Sequence, residues 1–164
     1  MPTATNQREH LYDLLKDFDT AMLVTRSADG HMHSRPMAVA EMRPDADAYF
    51  VTSIDSPKVA EINANPMVTL TFQSSTQFAS LSGRATVVRD QALVDRLYKE
   101  DWKIWFPKGK TDPSISMLKF SAQDGEYWDN AGAQGLKYVF EAAKAYVKGE
   151  RPKEDEKQHA KVDL

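Results

Sequence analysis

Three groups of side chains in this sequence could do chemistry, and the first is cationic. Ser34-Arg35-Pro36-Met37 lies in an extended stretch, where side chains alternate between faces. Arg35 therefore shares a face with Met37 and Val39. A guanidinium set among apolar neighbours suits a planar anion, carboxylate or phosphate, bound in bidentate fashion. An Arg snorkelling from a strand end would read the same way. Ser56-Pro57-Lys58 adds a second cation, with a hydroxyl at the cap position and proline at the first position of a helix. A Lys in that first turn opposes the helix dipole unless an anion sits there on free backbone N–H groups. Two cations, each following a strand, point to one phosphate-bearing ligand.

The second group is aromatic. Trp102, Trp105, Phe106, Tyr127 and Trp128 gather all three tryptophans of the chain between residues 102 and 128. Such a cluster builds a core or an interface, or a stacking wall for a planar ring. The third is the pair His31 and His33, on one face of an extended segment. Zinc needs further ligands, and no carboxylate or His nearby has supporting spacing, so the pair reads as a solvated hairpin flank and no metal is expected. Gly109-Lys110-Thr111 imitates the end of a phosphate-binding loop, but the position needing the earlier glycine is Ile104. Gly132 and Gly135 lack dinucleotide-fingerprint spacing, and no Gly-x-Ser-x-Gly or His-Glu-x-x-His occurs.

The elements that must position these residues follow from periodicity and turn signals. Leu11, Leu14, Leu15 and Phe18 predict an amphipathic helix over 7–18. Strands are expected at 21–25, 32–42, 48–52, 68–72 and 78–89. Asp29-Gly30 makes the first hairpin, and Pro36 marks an edge, a bulge or a barrel rim. Ala79, Leu81, Gly83, Ala85 and Val87 line one face of the long strand, with Gly83 suggesting a bulge or a close backbone approach. Short helices are expected from Ser56 to Asn65 and over 90–101. A last hairpin is read at Ile115–Ala122 and Glu126–Asp129 around Asp124-Gly125, then a helix over 137–148. The domain is thus 1–149, and 150–164 is a charged, frayed tail. Strands joined by hairpins or one short helix favour an antiparallel sheet closing on itself, a mainly β (α+β) fold.

Composition bounds the rest. The chain has 164 residues, of which 41% are hydrophobic and 27% charged, which describes one globular domain. No cysteine is present, which removes disulfides, thiolate metal sites and thiol nucleophiles. A net charge of -3 offers no basic excess for nucleic acid. No apolar run approaches the ~20 residues of a membrane span, and residues 1–20 lack the apolar stretch of a signal peptide, so a cytoplasmic protein is expected.

Assembled, these residues resemble the pyridoxamine 5'-phosphate oxidase-like split-barrel flavoproteins, specifically the general stress protein branch. The resemblance runs from about Leu11 to Asp129. It rests on the order of Arg35-Pro36-Met37, Phe50-Val51-Thr52-Ser53, Ser56-x-Lys58-Val59, Leu81-Ser82-Gly83-Arg84-Ala85, Trp105-Phe106-Pro107-x-Gly109-x-x-Asp112-Pro113 and Glu126-Tyr127-Trp128-Asp129. It implies a six-stranded antiparallel split β-barrel of Greek-key type with short flanking helices, a homodimer with flavin mononucleotide (FMN) between subunits. Arg35 and Lys58 would hold the phosphate, with Thr52 and Ser53 beside it. Ser34, Pro36 and Met37 would run along the ring and ribityl chain; Trp105, Phe106 and Trp128 are candidates for the partner's wall. The chain lacks the oxidase's Arg-Leu-x-Pro ending and closes on Lys161-Val162-Asp163-Leu164, and Gln77 is one place off the oxidase's flavin-binding Gln. These departures count against vitamin-B6 oxidase activity. The expected function is a flavin-dependent oxidoreductase of unknown substrate, with a small-molecule redox partner. A flavin carrier or sensor, or a barrel for FAD, deazaflavin or haem, is the alternative.

Overall fold

The computed structural model describes residues 4–152 and 157–164. Helix α1 (Ala4–Leu15) is followed by strands β1 (Thr20–Arg26), β2 (Met32–Met42) and β3 (Ala48–Ser53). Helix α2 (Pro57–Ala64), β4 (Met67–Gln73), β5 (Gln77–Val88) and α3 (Gln91–Leu97) come next. Two 3-10 turns (Glu100–Ile104, Gly109–Thr111) lead into β6 (Ile115–Asp129), α4 (Gly132–Lys148) and β7 (His159–Asp163). The sheet order is β3-β2-β1-β4-β5-β6-β7, every pairing is antiparallel, and an additional β3–β6 pairing closes the first six strands into a barrel. The expected six-stranded split barrel is present, with β7 laid on the outer part of β6.

Alternation explains where the core sits. Leu23, Phe50, Leu70, Phe72, Leu81, Leu118 and Phe120 fill the barrel, and Leu11 and Leu15 of α1 pack into the same core. The opposite faces of β3 and β6 are buried too: Val51, Ile115 and Met117 pack on Val94 and Leu97 of α3 and on Trp102 and Phe106. Trp102 is therefore core, anchoring the aromatic loop on the barrel wall.

Two expectations are corrected. Asp124-Gly125 is not a turn: β6 runs unbroken for 15 residues. Ser82 pairs Asp124 while Gly83 pairs Ala122, so Gln123 is the extra residue of a bulge at the predicted Gly83. Gly125 is needed for close packing, because a Cβ there would lie 2.8 Å from Leu81 Cδ2. Nor is the whole tail frayed. Residues 153–156 lie outside those described, but His159–Asp163 pairs with Trp128–Asp124, burying Ala160 and Val162 while Lys161 and Asp163 point outward. The Leu164 N–H donates to Gln123 O at 3.0 Å, and the Arg8 Nε–H donates to Asp163 O at 2.7 Å.

Two substitutions test this architecture. A Cβ on Gly83 would meet the Ser121 carbonyl oxygen at 2.2 Å, so Gly83→Ala should lower the unfolding free energy by about 3 kcal/mol in urea titration. Val162→Asp, which forces a carboxylate into the barrel margin, should cost about 2–4 kcal/mol; no change would restore a frayed tail.

Candidate functional site

The barrel is split between β2 and β3, and the split is written in backbone hydrogen bonding. β3 pairs with β2 only from Val39 to Met42, with a bulge between Val39 and Glu41; beyond Phe50, β3 keeps β6 as its partner and leaves β2. The Val39 N–H donates to Asp19 O at 2.9 Å, on the β1 side. Strand alternation then turns the nitrogen of Pro36 toward the β3 side, where it has no hydrogen to give. The sequence reading of Pro36 as a rim residue holds, and the rim is where a cleft opens.

That cleft has a volume of about 710 Å³. Pro36, Met37 and Ala38 of β2 form one wall, Val51, Thr52 and Ser53 of β3 the floor, and Lys58 of α2 one end; Ile104, Trp105 and Phe106 form the other wall. Phe106 is buried and fixes the loop, whereas Ile104 and Trp105 are 77% and 61% exposed at the mouth. Seven of the ten residues expected to bind a cofactor thus converge: Pro36, Met37, Thr52, Ser53, Lys58, Trp105 and Phe106. Ala38, Val51 and Ile104 were missed, although strand alternation puts Ala38 on the face of Pro36.

Three expected residues are not in this wall. Ser34 is exposed beyond the cleft's edge on β2. Trp128, near the end of β6, stacks on His159 with ring centroids 5.1 Å apart and planes at 14°. Arg35 turns to a carboxylate the sequence reading overlooked: its Nη2 lies 3.0 Å from Glu61 Oε2, and its Nη1 donates to Thr25 Oγ1. Glu61 also accepts from the Thr25 hydroxyl and stands 2.7 Å from His33 Nδ1. Its place one helical turn after Lys58 was the available signal.

The two cations differ sharply. Thr25 and, after it, His33 and Arg35 hold the Glu61 carboxyl down at about 2, against an ordinary 4.5, so the charge of Arg35 is matched. Among the described residues, Lys58 has no carboxylate partner. Its Nζ donates to Thr52 Oγ1 at 3.2 Å and to Ser56 Oγ at 3.1 Å, and burial, then the Arg35 charge, push its pKa below the ordinary value. Ser56 makes no side-chain cap to α2, a correction of the expected hydroxyl cap, because its oxygen is turned to Lys58. The end of the cleft is therefore short of an anion.

The Glu61 network also sets a pH dependence. A carboxyl with a lowered folded-state pKa stabilises the fold above its unfolded value, and that contribution vanishes as pH falls from 4.5 toward 2. Urea titrations across this window should show a shallower acid loss in Glu61→Gln than in the parent chain; parallel curves would refute the assignment.

Comparison with known proteins agrees with the fold. The general stress protein 26 structure from Jannaschia sp. CCS1 superposes with a TM-score of 0.73 at 23% identity, covering 99% of this chain and 100% of that one. The general stress FMN/FAD-binding protein of Xanthomonas citri superposes with a TM-score of 0.66 at 32% identity, covering 77% and 91%. Protein bli-3 of Neurospora crassa is 29% identical over 119 residues, 65% of this chain and 57% of that protein, so the match spans just over half of that relative's length. Residues 6–153 match the sequence model described as pyridoxamine 5'-phosphate oxidase like. With the barrel, the split and its cleft in place, the chain belongs to the pyridoxamine 5'-phosphate oxidase-like family.

Proposed function

We propose that this protein is an FMN-binding oxidoreductase-type stress protein, with the flavin phosphate at Lys58 and the ring along Pro36–Ala38. The observation that carries this reading is the unbalanced, partly desolvated Lys58 at the hydroxyl-lined end of a cleft whose other walls are mainly apolar. A phosphomonoester supplies the missing charge, with Thr52, Ser53 and Ser56 as hydroxyl donors around it. The volume suits one cofactor-sized ligand, inside the ~300–1,000 Å³ of small-molecule sites. Met37, Val51, Ile104 and Trp105 offer the apolar surface that a planar ring system covers.

Bound FMN supplies hydride chemistry by itself. Lys58 is the one titratable side chain among the lining residues, so the chain's part is binding, charge balance and exclusion of water from one ring face. Arg35, neutralised by Glu61, contributes to the field at Lys58 and holds β2 to α2. The exposed Ile104–Trp105 mouth is the surface a second copy would cover in a homodimer, and Trp128 is the residue we assign to the wall brought by that copy.

Lys58→Ala should weaken FMN binding by about 2–4 kcal/mol, roughly 30- to 1,000-fold, and affect riboflavin, which lacks the phosphate, far less. Arg35→Ala should have a smaller effect than Lys58→Ala, because its charge is already balanced. Quenching of flavin fluorescence on titration of apo-protein reads both. Equal losses for FMN and riboflavin would overturn the phosphate assignment. Anaerobic NADPH or NADH should bleach the yellow band of the complex; a persistent band would leave a carrier in place of an oxidoreductase.

A further inference from the structure

The Glu61 carboxylate serves two cationic sites through different oxygens. Its Oε2 accepts from Arg35 Nη2 at 3.0 Å and from the Thr25 hydroxyl, while its Oε1 stands 2.7 Å from His33 Nδ1. Register builds this arrangement: His33 lies opposite Thr25 on β1 and two places before Arg35 on β2, so all three share one face. An ionised carboxylate only accepts, so neutral His33 keeps its hydrogen on Nδ1 and leaves Nε2 to take a second proton. The imidazole side chain is 52% exposed, which opens that nitrogen to solvent, whereas Glu61 and Arg35 are mostly covered. Other charged groups on these elements are placed elsewhere. His31 pairs with Asp29 at 2.9 Å, Arg26 lies on the outward face of β1, and Glu41 at the far end of β2 is taken by Arg96. Lys58 stands one turn before Glu61 on α2.

We propose that His33 is a positioning residue for the phosphate end of the cleft: its protonation engages the Glu61 charge and leaves Arg35 to balance the bound phosphate, so that FMN binding is favoured by a proton on His33. With His33 neutral, Arg35 and Glu61 cancel, and Lys58 is the unmatched cation of the cluster. With His33 protonated, two cations share one carboxylate, and the cluster carries one further positive charge. A phosphomonoester, with a second pKa of about 6, carries between one and two negative charges near neutrality, which the second state matches better. The path from His33 to the phosphate is short in chemical terms. Arg35 is hydrogen-bonded to the same carboxylate, and its charge is felt at Lys58, where it adds to burial in lowering the ammonium's pKa. This role rests on the placing of the phosphate at Lys58, and it adds a titratable group that lies outside the cleft wall.

Flavin titration of the full chain at about pH 6 and about pH 8.5, which bracket the ordinary range of an imidazole, reads this role. His33→Gln keeps a neutral donor for Glu61 and cannot take the second proton. Parent and variant should bind FMN equally at the higher pH, and the parent should bind it roughly three- to tenfold more tightly at the lower one. The ionisations of the phosphate and of Lys58 are common to both proteins and cancel in that ratio. Riboflavin should give the same ratio at both pH values, and His31→Gln should behave as the parent. In a Glu61→Gln background, which frees Arg35 permanently, replacing His33 should leave FMN affinity nearly unchanged at either pH. A parent-to-variant ratio for FMN that does not move with pH would overturn the role of His33, as would an equal change for riboflavin. Lys58→Ala separates the two levels. Equal losses of FMN and riboflavin in Lys58→Ala would remove the phosphate placement and this role with it. A loss confined to FMN, together with a flat His33 ratio, would remove this role alone.

Discussion

The parting of β2 from β3 is the constraint on which the site depends. An antiparallel barrel closes when every strand finds partners on both sides, and a closed barrel of this size fills with its own side chains. Here the Val39–Glu41 bulge ends the β2–β3 ladder, and Pro36 has no N–H to extend it. The freed length of β3 pairs with β6 instead, which keeps the barrel closed and leaves Val51–Ser53 diverging from Pro36–Ala38. The cleft is the space between those segments, lying outside the core.

Charge within that space is arranged by one helix. α2 carries Lys58 and Glu61 a turn apart, and the carboxylate takes Arg35, Thr25 and His33 as partners. Compensating Arg35 internally removes the stronger anion ligand and leaves the ammonium as the unmatched group. An uncompensated, half-buried cation is tolerable where an anion can reach it, and its hydroxyl neighbours are donors that accept such a ligand readily. The 3-10 turn that ends at Ile104 completes the arrangement: Trp102 and Phe106 sink into the wall formed by β3 and β6, which leaves Ile104 and Trp105 standing at the mouth.

The family likeness and the geometry meet at different levels. Low-identity neighbours share the barrel, and the neighbour at 32% identity has a name that specifies FMN/FAD binding. Within this chain, the apolar walls and the Lys58 end are the features on which a flavin reading stands.

Most of the fold was legible because it is local. Apolar runs and period-two alternation located the first five strands, Asp29-Gly30 located the first hairpin, and Pro36 and Gly83 marked the irregular places in the sheet. The Arg-Pro-Met and Ser-Pro-Lys runs located the two cations. The sequence by itself determined these, since each rests on propensity, turn chemistry or the pleat of one segment. Tertiary structure decided the rest. Asp124-Gly125 became strand because a continuous β6 satisfies β5 on one side and both β3 and β7 on the other, which outweighs a turn preference of two residues. The tail became β7 because Ala160 and Val162 find an apolar margin that exists only once the barrel is closed. Glu61 claimed Arg35 across 26 residues of chain, a distance no spacing rule reports. The site's charge balance was therefore fixed by which side chains the closed barrel brought within hydrogen-bonding reach.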